Sequence, residues 1–205
     1  MWLDSILAEL TTEEPATFER EKRWTWGCEQ QRARTARIAN YCADRWPGDL
    51  CEIGCYTGGN TKLLAQVARK YGRRVIAVDP WLPDTQDCRG EEYEIFLRNM
   101  GPYLDITDIV RFRSQSPYAA AVLAATDLCF AIIDGLHTYV GCLSDIRAVD
   151  HASVIMVDDM LWCDDVRRAV VIGAAEINKR IIQHYLCREA YLIQPGRLRT
   201  HTEKA

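Results

Sequence analysis

The sequence predicts an α/β fold built on a mostly parallel sheet, and three observations predict it. From Asp49 onward, short apolar runs alternate with helical stretches of about ten residues, the pattern that parallel strands and right-handed crossovers produce. The runs are apolar throughout, as in Phe130–Ile133 (FAII) and Val154–Val157 (VIMV), which suits a sheet covered on both faces. Four of them stop on an acid or just before a glycine, and in open α/β sheets ligands bind outside the carboxyl ends of the strands.

The elements follow in order. Met1 to Leu10 reads as a short helix, and Pro15 suits the first turn of another. A polar helix rich in Arg, Glu and Gln runs on to Trp46, and Pro47 with Gly48 ends it. Residues 1–48 are thus expected to form a helical extension, serving as a substrate lid or a dimer contact, and 49–205 the main domain. The domain should hold seven strands: Leu50–Gly54, Arg74–Asp79, Ile109–Arg113, Leu128–Asp134, Ser153–Asp158, Ile181–Leu186 and Ala190–Ile193. The helices between them are expected at Asn60–Tyr71, Glu91–Met100, Pro117–Ala125, Tyr139–Val149 and Asp165–Lys179.

Composition narrows the function classes. The 205 residues carry a formal charge of −4, and the basic clusters at Arg20–Arg23 and Arg32–Arg37 are interspersed with polar residues at helical spacing. They read as solvated helix faces, so no nucleic-acid partner is expected. No apolar run approaches the roughly 18 residues of a membrane span. The N-terminus, with Asp4, lacks the order of a secretory signal, so a cytoplasmic location is expected. The nine cysteines include no C-x-x-C pair and read as small, reduced core residues. Edge strands and tryptophans expected on the surface point to a homodimer.

The chemistry lies where strands stop. Glu52, Gly54, Thr57, Gly58, Gly59 and Thr61 follow the first strand and open a helix. Glycines let the backbone turn sharply and approach a ligand closely. Their spacing is not the pyrophosphate fingerprint of a dinucleotide site, and it suits a nucleoside without phosphate. Glu52, a carboxylate in a buried strand, needs a partner. Asp79 ends the second strand where an acid can accept both hydroxyls of a ribose. Asp134 ends the fourth strand, and Asp158 and Asp159 the fifth. If those strands are neighbours, three carboxylates converge and repel unless a cation or proton intervenes. Oxygen ligands favour magnesium, manganese or calcium over zinc. The alternative is that Asp159 caps a helix or is solvated while Asp134 alone binds substrate. His137, beside these acids, is placed to act as a general base. His151, His184 and His201 have no such setting.

Together, EIGCYTGGNT, VIAVDPW, FAIIDGLHTYVGCLSDI and VIMVDD resemble the class I methyltransferases, with their Rossmann-like fold. More narrowly, they resemble the small-molecule O-methyltransferases of the macrocin and mycinamicin type. The resemblance spans about half the chain, from Asp49 to Asp159. It implies S-adenosyl-L-methionine contacted by Glu52, Gly54 and the Thr57–Gly59 turn, with Asp79 on the ribose and Asp134 alongside. It places Ser114 and Gln115 on the adenine, a divalent metal, magnesium by expectation, on Asp134, Asp158 and Asp159, and catalysis on His137 with Asp134. The acceptor would be a hydroxyl of a small molecule such as a sugar or polyketide. The other readings are a methyltransferase that uses no metal, a nicotinamide-dependent oxidoreductase, and a non-catalytic binding protein that kept the fold.

Overall fold

The structure, a computed structural model, describes residues 29–82, 90–182 and 188–194. The expected helices at Met1–Leu10 and after Pro15, and most of the loop between Pro80 and Gly90, lie outside the described residues.

Helix α1 (Glu29–Arg45) buries Gln31, Arg34, Thr35, Ile38, Ala39, Cys42 and Ala43. That spacing is one stripe of a 3.6-residue helix, and it lays α1 against the sheet. The reading of Arg32–Arg37 as a solvated face is therefore corrected at Arg34. This residue falls on the stripe and is 7% exposed, its Nε 2.7 Å from Glu189 Oε1, while Arg37 on the opposite side is exposed.

The chain then alternates: β1 (Asp49–Ile53), α2 (Gly59–Tyr71), β2 (Val75–Val78), α3 (Glu92–Met100), a 3₁₀ turn (Gly101–Ile106), β3 (Thr107–Val110), α4 (Pro117–Ala124), β4 (Leu128–Ile133), α5 (Tyr139–Ala148), β5 (Val154–Val157), α6 (Asp164–Glu176), β6 (Arg180–Ile182) and β7 (Ala190–Ile193). Helix α2 stops where Gly72 turns left-handed (φ 64°) and its N–H reaches back to Ala68 and Arg69, a conformation glycine adopts without strain. The third strand was expected at Ile109–Arg113 but occupies Thr107–Val110. Its register against β2 pairs Thr107 with Val75 and Val110 with Val78, so its length follows its short partner.

The seven strands lie in the order β3-β2-β1-β4-β5-β7-β6, with β7 antiparallel to both neighbours. Successive strand residues face opposite sides. Leu50, Val75, Ala77, Phe130, Ile132, Val154 and Met156 pack with α1, α2 and α3. Cys51, Ile53, Ile76, Val78, Ala131, Ile133, Ile155 and Val157 pack with α4, α5 and α6. The molecule is therefore a three-layer sandwich. The cysteines at 42, 51, 55, 129 and 142 are buried and free. Among the described residues no helix is long and apolar enough to cross a membrane.

Strand order reverses between β1 and β4, which opens a crevice at their carboxyl ends. Ladder bonds continue one residue past each strand: Asp79 N donates to Val110 O, Gly54 N to Val78 O, Asp134 N to Ile53 O and Asp158 N to Ile133 O. Asp79, Gly54, Asp134 and Asp158 thus stand in one row across the crevice.

Candidate active site

A cavity of about 610 Å³ opens on that row. Gly54, Asp79, Ser114, Gln115, Asp134, His137, Asp158 and Asp159 all line it. Residues far apart in the chain meet because Gly54, Asp79, Asp134, Asp158 and Asp159 are each the first or second to leave a parallel strand, and Ser114, Gln115 and His137 follow within five residues of one.

The turn after β1 is built around Asp79. Its Oδ2 accepts the N–H groups of Cys55 and Tyr56, both at 2.9 Å, and its Oδ1 accepts that of Trp81 at 2.7 Å. Burial pushes the carboxyl's pKa up, against the pull of these three N–H donors. Tyr56 (φ 47°) and Trp81 (φ 45°) are both left-handed, a costly backbone state for non-glycine residues. The Trp81 indole stays in place by donating to Tyr56 O at 2.7 Å and packing on Phe96 and Tyr93. Gly54 (φ 92°) could not carry a side chain, because a β-carbon would collide with the Asp134 carbonyl.

Glu52, Thr57, Gly58 and Gly59, expected at the cofactor, are not on the cavity wall. Glu52 is buried behind it and accepts the Thr61 hydroxyl from the first turn of α2. Burial, opposed by that hydrogen bond, pushes its pKa up to about 8. Thr57 offers its carbonyl to Asn99, and Gly58 lies against Phe96. These residues shape the turn that carries Gly54 and Tyr56.

At the other end of the row, Asp134, His137 and Asp159 each offer one ligand atom, all within 4.8 Å of one another. His137 Nε2 is 2.9 Å from Asp159 Oδ2 and 3.7 Å from Asp134 Oδ1. The Asp134 contact is longer than a hydrogen bond, and both contacts are ion pairs. Asp134 and Asp159 push the imidazole pKa up to about 10 against its partial burial. Asp159 is itself left-handed (φ 60°). Burial would raise its carboxyl, but His137 and Arg188 outweigh it and hold the pKa below the ordinary value.

Asp158 is outside this cluster of ligand atoms. Its Oδ2 accepts Gln31 Nε2 and its Oδ1 the N–H of Asp159, at 2.9 and 2.8 Å, which fixes the turn presenting Asp159. Burial and its neighbours Asp134 and Asp159 push its pKa up to about 8. The carboxylates of Asp134 and Asp159, two hard oxygen donors with His137 beside them, fit a divalent cation.

Three residues of the site, Arg188, Trp162 and Gln31, carried no signal that motif reading uses. Arg188, between β6 and β7, pairs with Asp159 Oδ1, which also accepts Trp162 Nε1 at 2.8 Å. A single arginine outside any motif is silent in sequence, as is Gln31 on its polar helix. Asp145 did leave a trace: it is an acid on the apolar stripe of α5, between Cys142 and Ile146.

Comparison with known proteins agrees with this architecture. A family model described as "Methyltransferase domain" matches residues 51–165. No curated protein matches the chain in sequence. Among solved structures, cofactor-bound Rv0187 from MTB superposes with a TM-score of 0.65 at 17% identity, over 93% of this chain and 88% of that one. The O-methyltransferase NovP gives 0.63 at 21%, over 94% and 98%. CalS11, a TDP-rhamnose 3'-O-methyltransferase of calicheamicin biosynthesis, gives 0.62 at 14%, over 93% and 92%.

Proposed function

Since this chain belongs to the methyltransferase-domain family, we propose that it moves the methyl group of S-adenosyl-L-methionine to a hydroxyl of a small molecule, aided by a divalent cation. The observation that carries the reading is the single row of Asp79, Gly54, Asp134 and Asp158 at the crevice, with His137 and Asp159 beside it. Asp79 faces the nucleoside half of such a cofactor, and Ser114 and Gln115 stand on the same wall. Three similar structures support the cofactor: one is cofactor-bound, another contains S-adenosylhomocysteine and a third S-adenosylmethionine. NovP and CalS11, both O-methyltransferases, support oxygen as the acceptor atom.

Methyl transfer from a sulfonium is an in-line displacement: the acceptor oxygen gains the carbon as the sulfonium becomes a thioether, and the hydroxyl proton must leave. Alignment is the protein's main contribution. Asp134 and Asp159 would hold the cation, magnesium by preference, with Asp158 bracing the turn between them. A cation bound there would lower the pKa of the acceptor hydroxyl and neutralise the two carboxylates. His137, relieved of its two acids, would then be free to take the hydroxyl proton at Nε2.

Methyl transfer to a panel of catechols and vicinal diols, with S-adenosylhomocysteine release as the readout, tests this. Chelation should abolish turnover while calorimetry still shows the cofactor binding. Undiminished turnover in chelated protein would reject the cation. That outcome would favour the second reading, a metal-free methyltransferase, for which Arg188 already supplies a positive charge at Asp159.

A further inference from the structure

Two side chains at the His137 end of the cavity stand apart from the groups assigned to cofactor and cation. Trp162, between β5 and α6, lines the cavity and is 62% exposed, although an indole gains more from burial than most side chains do. Its ring centroid stands 5.8 Å from that of His137, and its Nε1 donates to Asp159 Oδ1, so the indole is fixed beside the reaction centre. Leu136 adds a second apolar surface to the same cavity. Arg188 also lines it, with its guanidinium 5.9 Å from the centre of the Trp162 ring.

Arg188 is unevenly satisfied. Its Nη2 pairs with Asp159 Oδ1, whereas its Nε is buried and meets no acceptor among the described residues. Once Asp159 holds a divalent cation, its charge is shared, and the guanidinium is left half-buried with an incomplete counter-charge, a costly state. A carboxylate arriving with the acceptor would complete it, because two oxygens match the planar fork of N–H donors. Trp162 presents a flat apolar face next to that charge, which suits an aromatic ring better than an open polyol. We propose that the acceptor is an aromatic acid, its ring lying on Trp162 and its carboxylate on Arg188, with the hydroxyl to be methylated held toward His137. This rests on the methyl-transfer reading above and assigns Trp162 and Arg188 as specificity-determining residues.

Equilibrium binding reads this without turnover. Protein saturated with S-adenosylhomocysteine and manganese is titrated calorimetrically with protocatechuate and with its neutral amide, which differ only in the charged group. Wild type should bind the acid ~10-fold or more tighter, as expected for charge-assisted hydrogen bonds in a half-buried site. Arg188→Met should lower the affinity for the acid to that for the amide, and leave the amide within ~3-fold of its wild-type value. Trp162→Ala should weaken both ligands by a similar ~2–10-fold, since both carry the same ring.

Equal affinity of wild type for acid and amide overturns the proposal, and this arm stands even if a variant fails to fold. A preference for the acid that survives in Arg188→Met overturns it as well, because the carboxylate is then read elsewhere, the cation included. So does an equal loss of both ligands in Arg188→Met, which leaves Arg188 as a support for Asp159, and so do unchanged affinities in Trp162→Ala. Wild type that takes up S-adenosylhomocysteine and manganese but neither acid nor amide overturns the proposal alone. Wild type that binds neither S-adenosylhomocysteine nor manganese rejects the methyl-transfer reading itself, before any acid is added.

Discussion

His137 is held as an imidazolium by two carboxylates, and that sets its pH behaviour. Its pKa in the folded chain is pushed up to about 10 from an ordinary 6.5. A raised pKa means that folding stability from this contact is complete below about pH 6.5 and is lost as pH rises through about 10. Without added metal, the wild-type unfolding midpoint should therefore fall more steeply over that window than that of His137→Gln. Equal slopes would show that the ion pairs contribute nothing to stability. Removal of a general base costs typically ~10²–10⁴-fold in rate, so His137→Gln should lose turnover by that order while calorimetry finds cofactor affinity unchanged. His137 was legible before any coordinates, because it follows Asp134 by three residues at a strand end. Arg188 was not, since it gains meaning only through Asp159, 29 residues earlier in the chain.

At the scale of elements, the turn from β1 into α2 carries more internal constraint than its glycines suggest. Asp79 gathers its N–H groups, Gly54 passes under the Asp134 carbonyl, and Glu52 anchors Thr61 beneath it. The Glu52 pKa is pushed from about 4.5 to about 8, so its ionisation opposes folding and stability falls as pH rises through that interval. Glu52→Gln keeps an oxygen for the Thr61 hydroxyl and removes the charge. Its unfolding midpoint should exceed that of wild type at about pH 8 and match it at about pH 5, and a midpoint lowered at both would refute this account. Glu52 was legible as a buried acid in need of a partner. Its direction was not, because strand alternation alone does not say whether it meets ligand or helix.

A second constraint of this kind joins α1 to β7. Arg34 Nε meets Glu189 Oε1 at 2.7 Å, both side chains are almost wholly buried, and Tyr191 donates to the same oxygen at 3.2 Å. Removing one member of a buried pair strands the other, at a cost of about 3–5 kcal/mol. Arg34→Met should lower stability by that amount in denaturant unfolding. A loss under about 1 kcal/mol would mean that Glu189 finds its neutralisation elsewhere. This pair spans 155 residues of sequence, and nothing local to either residue announces it. From charge spacing alone, Arg34 looked like its exposed neighbours.

At the scale of the molecule, one physical fact organises the site: parallel strands that end in register deliver their next residues to a common edge. Apolar runs revealed the strands, and their terminal acids revealed the edge, so the row of Asp79, Gly54, Asp134 and Asp158 could be anticipated. Strand order could not, since it depends on which helices cover which face. The reversal between β1 and β4 sets an acid suited to a nucleoside and a cluster suited to a cation on opposite sides of one crevice. Crystals grown with S-adenosylhomocysteine and manganese, read in an anomalous difference map, test that arrangement directly. The adenosyl group should lie in the cavity with its ribose at Asp79, and a manganese peak should stand between the carboxylates of Asp134 and Asp159, beside His137. A vacant cavity, or a metal bound away from these three residues, would contradict it.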